Sequence, residues 1–120
     1  MTIELKKRTN IFAHSCVKLA LELPNSFLGN HIKSQLIRCS TSVAANYRAA
    51  CLAQSKNSFI SKISIVIEEV DESLFWIEFL VEENLLSKET CNSLLKEADE
   101  ITRIFISSRK TAKLGVKTNQ

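Results

Sequence analysis

The clearest structural pattern in the chain is FISKISIVIEEVDESLFWIEFLV, which spans residues 59–81. Apolar side chains recur along it at steps of four and three residues: Phe59, Ile63, Val66, Val70, Leu74, Ile77 and Val81. This spacing lines up the apolar side chains on one side of an α-helix, whereas a half-buried strand alternates apolar and polar residues. The stretch therefore predicts an amphipathic helix that packs against other helices.

Three further segments carry the same helical period. Their apolar stripes are Phe12, Cys16, Leu19 and Leu23; Ile32, Leu36, Cys39, Val43, Tyr47 and Ala50; and Leu94, Ala98, Ile101 and Phe105. Breaks separate the segments at 24–25, 54–55 and 84–87. Short links favour antiparallel neighbours, so the pattern predicts an all-α, antiparallel up-and-down four-helix bundle over residues 1–114. The predicted helices are about 4–23, 30–53, 55–83 and 87–113, followed by a polar C-terminal tail at 115–120.

The composition narrows the classes of protein that fit. Only two glycines and one proline occur in 120 residues, which leaves few turns and favours long helices. An apolar fraction of 45% is typical of a folded domain and argues against disorder. The sequence has no visible signal peptide and no apolar run long enough to span a membrane, so we expect a cytoplasmic protein without a membrane partner.

The sequence also lacks the spacings that common cofactor sites require. The four cysteines form no CxxC pair, and we expect them to be reduced thiols in the core: Cys16, Cys39, Cys51 and Cys91. Neither histidine follows a glutamate by three residues, and two isolated glycines cannot form a phosphate-binding loop. We therefore expect no metal, no cofactor and no catalytic residue.

One weak enzymatic pattern remains. Arg8 and His14 match the loose Arg-x(4–6)-His pattern of the HEPN-type RNases, which are also small helical bundles. The pattern is short, and here it lies in the first helix rather than late in the bundle as in that family. His14 is more often a partly buried helix residue than a general base. An RNase is therefore a remote alternative.

Charge is distributed unevenly along the chain. Residues 1–62 hold nine lysines or arginines against two acids, residues 63–100 hold eleven acids against two lysines, and residues 101–120 hold five bases and no acid. These blocks can form ion pairs on an ordinary solvated surface, or they can leave basic surface for an anionic partner. The predicted phosphate contacts are Lys6, Lys7, Arg8, Arg103, Arg109, Lys110 and Lys113.

Two helices have polar or aromatic side chains beyond those that a single core stripe requires. Polar side chains follow the second helix from Gln35 to Asn46 and form either a packed network between helices or a solvated face. Surplus aromatic residues in the third helix fit either a wide core or a subunit interface. We expect Arg48 to pair with an acid such as Glu69 or Glu72. The residues assigned to an interface or polar network are Gln35, Arg38, Ser42, Asn46, Arg48, Asp71, Glu72, Phe75, Trp76 and Phe79.

Three segments together resemble one family. QLIRCSTSVAANYR at 35–48, the Ser55-Lys56 and Phe59 start of the third helix, and EEVDESLFWIE at 68–78 are similar to motifs of bacterial four-helix-bundle proteins related to the 23S rRNA-intervening sequence protein. The resemblance covers residues 10–113. This chain reads NYRAA at 46–50 where many relatives read NIAEG, so no role of that acid and glycine transfers to Ala49 and Ala50.

The resemblance implies a bundle that assembles into a ring-shaped homopentamer, and it implies no known activity. Some relatives are encoded within insertions in rRNA genes. A distant structural relative, the accessory protein of diversity-generating retroelements, binds nucleic acid and a reverse transcriptase through a basic pentamer surface. We therefore expect a non-enzymatic homo-oligomer that binds RNA, DNA or a nucleic-acid enzyme. A purely structural oligomer or a protein-partner adaptor is the alternative.

Overall fold

A computed structural model describes residues 2–118, with side chains for residues 4–115. The described residues form four α-helices and no strand: α1 (Thr2–Leu21), α2 (Phe27–Cys51), α3 (Lys56–Glu82) and α4 (Lys88–Thr118). Links of four or five residues reverse the chain between helices. Each helix packs against the next along the chain, and α1 also meets α4. The all-α, four-helix prediction is confirmed, in a molecule that measures 52 × 22 × 20 Å.

Serine side chains cap three of the helices at their N-termini. Ser55 accepts a hydrogen bond from the Ser58 backbone N–H, and Ser87 accepts one from the Thr90 backbone N–H. Ser26 caps α2, which therefore begins three residues earlier than predicted. Gly29 lies inside this first turn. No larger residue fits there, because a Cβ would overlap the Pro24 carbonyl oxygen. The glycine permits a close approach of the preceding chain, and it does not mark a break.

The end of α3 agrees with the predicted bound to within one residue, whereas α4 runs past its own. Asn84 follows α3 with a φ of 59°, and the Leu85 N–H donates to the Leu80 carbonyl oxygen at 2.9 Å. This left-handed residue ends the helix in a common C-terminal motif. At the other extreme, α4 continues past residue 113 and through Gly115 to Thr118. A single glycine costs a helix only about 1 kcal/mol relative to alanine, so it does not end one by itself.

The core follows the predicted stripes in three helices and a shifted stripe in the fourth. Every stripe residue predicted around α1, α2 and α4 is buried. In α3 the buried line instead runs through Ser73 and Leu80, whereas Leu74 and Val81 are only half-buried. The Ser73 hydroxyl donates to the Glu69 carbonyl oxygen at 2.8 Å, which satisfies a polar group that the apolar pattern alone excluded from the core.

The cysteines lie mainly in the core. Cys16, Cys39 and Cys91 are buried, while Cys51 is partly exposed. Burial raises the pKa of the Cys16 and Cys39 thiols above the ordinary value, which keeps both protonated near neutral pH. Over the described part of the chain, no three metal-ligating side chains cluster and no helix is apolar enough over its length to cross a membrane.

Candidate nucleic-acid interface

The antiparallel helices bring many basic residues from distant parts of the chain to one end of the bundle. The N-terminal part of α1, the C-terminal part of α2, the start of α3 and the last turns of α4 meet there, as the contact between the Tyr47 and Phe105 rings at 5.1 Å illustrates. We call this region the basic end. Its cations are Lys6, Lys7, Arg8, Arg48, Lys56, Lys62, Arg103, Arg109, Lys110 and Lys113. The opposite end carries Glu22, Glu78, Glu82, Glu83 and Glu89 together with Lys18, Lys33 and Lys88.

Two of the predicted phosphate contacts are already paired with acids of α4. Arg8 donates to Glu97 from Nε at 3.1 Å and from Nη2 at 2.7 Å, and it also reaches Glu100 at 3.1 Å. The hydrogen bond to Glu97 raises the pKa of the guanidinium above its ordinary range. Arg103 pairs with Asp99 one turn earlier on the same helix, at 3.1 Å and in solvent. These two arginines offer less free charge to an anionic ligand than the sequence implies.

The remaining predicted cations form two separate groups. Arg109, Lys110 and Lys113 line a cavity of about 320 Å³ on α4, where Arg109 donates to the Ser64 hydroxyl at 3.3 Å. Lys6 and Lys7 lie on the far side of the basic end, beside α2. The predicted phosphate contacts therefore lie on two separate surfaces. Two of them, Arg8 and Arg103, are already paired with acids.

Lys6, Lys7 and Arg48 line a groove between α1 and α2. It consists of adjoining cavities of about 370 Å³ and 430 Å³, which share Asn10, Ala44 and Arg48. Lys6 and Lys7 line the first cavity, and the second extends along α1 past His14. We call these two cavities the α1–α2 groove.

The prediction that Arg48 pairs with Glu69 or Glu72 is wrong. Arg38 occupies that position, with Nη1 at 3.2 Å from Glu69 Oε2 and Nη2 bonded to Glu72. The two arginines are ten residues apart, and at 3.6 residues per turn their side chains point about 80° apart around α2. Arg38 therefore faces α3, while Arg48 faces α1. A helical projection of α2 would have revealed this difference.

The polar side chains that follow α2 from Gln35 to Asn46 form two separate groups. Arg38 Nε donates to Gln35 Oε1 at 3.4 Å, and Glu72 accepts from both Arg38 and Trp76 Nε1, the latter at 3.1 Å. This group joins α2 to α3, and the Arg38 hydrogen bond holds the pKa of Glu72 below its ordinary value. The other group stays within α2, where Asn46 donates to the Ser42 hydroxyl at 2.9 Å.

The surplus aromatic side chains of α3 form one cluster beside this network. The Trp76 ring centroid lies 4.9 Å from that of Phe75 and 6.1 Å from that of Phe79. Trp76 and Phe79 are half-buried, but Phe75 remains 51% exposed. Asp71 and Glu78 are exposed one turn before and after Phe75. We call Phe75, Trp76 and Phe79 the aromatic face.

The two residues of the RNase pattern lie on different sides of α1. Arg8 faces α4, where it binds Glu97, whereas His14 lines the α1–α2 groove. Six residues of helix separate their directions by about 120°. Within one chain they do not share a site.

The fold and this site define an all-α four-helix-bundle protein with a basic end. The chain belongs to the 23S rRNA-intervening sequence protein family, whose model matches residues 1–107, and the resemblance seen in its motifs is confirmed. A similar solved structure is a protein of unknown function from the S23 ribosomal protein family of Bacteroides thetaiotaomicron. The two chains are 32% identical with a TM-score of 0.80, over 88% of this chain and 97% of that one. No curated protein matches the chain.

Proposed function

We propose that this protein is a non-enzymatic homo-oligomer that binds RNA or DNA through its basic end. The observation that carries the proposal is the position of unpaired cations at one end of the bundle. Lys6, Lys7, Arg48, Lys110 and Lys113 form no ion pair with any described side chain. Such a surface attracts phosphate backbones through charge and the release of counterions.

This contact does not require a particular base sequence. Sequence-tolerant binding of single strands commonly adds aromatic side chains on which bases stack. At the basic end, Tyr47 is buried and Phe59 is only partly exposed. The exposed Phe27 and Phe75 lie away from that end, at the start of α2 and beside acids of α3. Phosphate contacts therefore dominate the proposed interaction.

Self-assembly is the second part of the proposal, and the aromatic face supports it. Phe75 leaves half of a large apolar ring in solvent within a cluster of aromatic side chains, a composition typical of subunit interfaces. Assembly around a symmetry axis would repeat the basic end in each copy and multiply its phosphate contacts. Membership in the family supports a ring of five chains as the form of this oligomer.

Nucleic-acid binding is tested by fluorescence anisotropy with labelled mixed-sequence RNA and DNA over a series of salt concentrations. We expect affinity that falls steeply and linearly on logarithmic axes as salt rises, with similar values for unrelated sequences. The absence of binding at low salt would overturn this part of the proposal.

Assembly is tested by light scattering behind size exclusion at low and high salt. We expect a mass near that of five chains for the wild type and a smaller mass for Phe75→Ser. Ile106→Ser is the matched control, because Ile106 is also an exposed apolar residue but lies on α4. A monomer at micromolar concentration would reject the oligomer.

A protein-partner adaptor is the second candidate, and the aromatic face also motivates it. Acidic Asp71 and Glu78 flank Phe75, so this face fits a basic, apolar segment of another protein. A partner captured after nuclease treatment by the wild type and lost with Phe75→Ser would favour this function over nucleic-acid binding.

A further inference from the structure

We infer that the α1–α2 groove is the phosphate-binding site of the basic end, and that it holds the sugar–phosphate backbone of a nucleic-acid strand. This inference rests on the proposed function. It narrows that function from a whole end of the molecule to one groove, and it assigns the central contact to Arg48.

The positive charge of the groove favours the binding of an anion. Lys6, Lys7 and Arg48 line it, and no described carboxylate does. None of the three cations forms an ion pair with a described side chain, in contrast to Arg8 on the opposite face of α1. An anion in this groove therefore meets uncompensated positive charge, and the Arg48 guanidinium can bond two phosphate oxygens at once.

The length and the small side chains of the groove favour a polymer as its ligand. On the α2 side, the small side chains of Ala44 and Ala45 lie between Thr41 and Arg48 and let a backbone approach the helix closely. Two cavities join at Asn10 and Arg48, so the groove continues along α1 beyond the reach of a single phosphate. The stretch from Lys6 to His14 is about 12 Å of helix at 1.5 Å per residue. The Lys and Arg side chains lie in the part that Lys6, Lys7 and Arg48 line, and the extension toward His14 adds polar and small side chains. A groove of this length fits a polymer better than an isolated phosphate group.

The lining also indicates how the strand is recognised. No Phe, Tyr or Trp lines either cavity over the described residues, so bases have no ring on which to stack. Asn10 at the junction is exposed and has an amide that can donate to phosphate oxygens. The groove therefore contacts the backbone and does not distinguish base sequences.

The test compares three full-length variants on one labelled mixed-sequence DNA duplex over a salt series. Arg48→Gln and the double variant Lys6→Gln/Lys7→Gln remove charge from the groove. The matched control, Lys110→Gln/Lys113→Gln, removes two unpaired lysines from α4 at the same end of the bundle. All affected side chains are exposed, and thermal unfolding of each variant verifies that the fold is retained.

We expect Arg48→Gln to weaken binding and to lower the slope of log affinity against log salt by about 0.9, the loss of one phosphate contact. The Lys6/Lys7 double variant should lower the slope by about twice that amount, and the α4 control should lower it less. Inorganic phosphate at matched ionic strength should compete no better than chloride. Efficient competition by phosphate would overturn the polymer assignment in favour of a single-phosphate site.

The other outcomes separate this inference from the proposed function. Binding by the wild type that survives both groove substitutions would overturn the inference and leave the proposed function standing. No binding by the wild type would reject the proposed function itself. If Arg48→Gln lowers the mass in light scattering while affinity per chain is unchanged, the groove binds the acidic surface of another copy, and the inference is overturned.

Discussion

Arg8 on α1 and Glu97 on α4 join the pair of neighbouring helices that pack least closely in the bundle. Two parallel hydrogen bonds, at 3.1 Å and 2.7 Å, link the guanidinium to the carboxylate across 89 residues of sequence. Both side chains are mostly buried, with exposed fractions of 23% and 30%. The pair stabilises the closure of the bundle and at the same time withdraws one arginine from the basic surface.

A double-mutant cycle measures what this pair contributes. Arg8→Ala, Glu97→Ala and the double variant should give a coupling free energy of about 1 kcal/mol, because a two-bond, partly buried arginine–carboxylate pair exceeds an ordinary surface pair. Urea unfolding followed by circular dichroism provides the free energies. The control cycle uses Asp99 and Arg103, an exposed pair within α4, for which we expect no more than about 0.5 kcal/mol. Equal coupling in both cycles would contradict a special role for Arg8.

Glu72 should make stability depend on pH in the acidic range. Its pKa in the folded protein lies below the ordinary value of 4.5, chiefly because Arg38 donates a hydrogen bond to its carboxylate. The unfolded chain then binds this proton more readily than the folded one. The stabilisation is therefore fully present above the ordinary value and is lost as pH falls through the lowered pKa.

Urea unfolding at several pH values checks this dependence. Glu72→Gln should lose roughly 0.5–1 kcal/mol at neutral pH and converge with the wild type at strongly acidic pH. Glu78→Gln is the control, since Glu78 is exposed on the same helix and forms no ion pair with a described side chain. A constant difference between Glu72→Gln and the wild type across the whole range would exclude the proposed cause.

The two glycines should respond oppositely to alanine. A Cβ at Gly29 would overlap the Pro24 carbonyl oxygen, which is backbone and cannot move aside cheaply. We expect Gly29→Ala to cost about 1–3 kcal/mol. A Cβ at Gly115 would meet only the flexible end of Lys56, so Gly115→Ala should be neutral or stabilise α4 by up to about 1 kcal/mol. Thermal unfolding compares them directly, and a neutral Gly29→Ala would remove the steric reason for that glycine.

Much of the fold could be predicted because helical periodicity is a local property of the chain. Ile32, Leu36 and Cys39 share a face of α2 whatever the other helices do, and the core confirms that face. The exception in α3 has a tertiary cause. The buried line includes Ser73, whose hydroxyl lies 3.2 Å from Cys39 of α2 and bonds the preceding turn of its own helix. A pattern of apolar residues cannot include a serine whose polar group is satisfied in this way.

The charged surface was only partly predictable, because pairing depends on residues distant in sequence. The order of residues alone shows which side chains are basic, that they form two blocks, and that α1, α2 and α4 have one apolar side each. The packing of the helices pairs Glu97 with Arg8, brings Arg38 rather than Arg48 to the acids of α3, and places Arg48 near Lys6. The physical reason is that charges act through space, so the free cations are known only once the antiparallel helices set their neighbours.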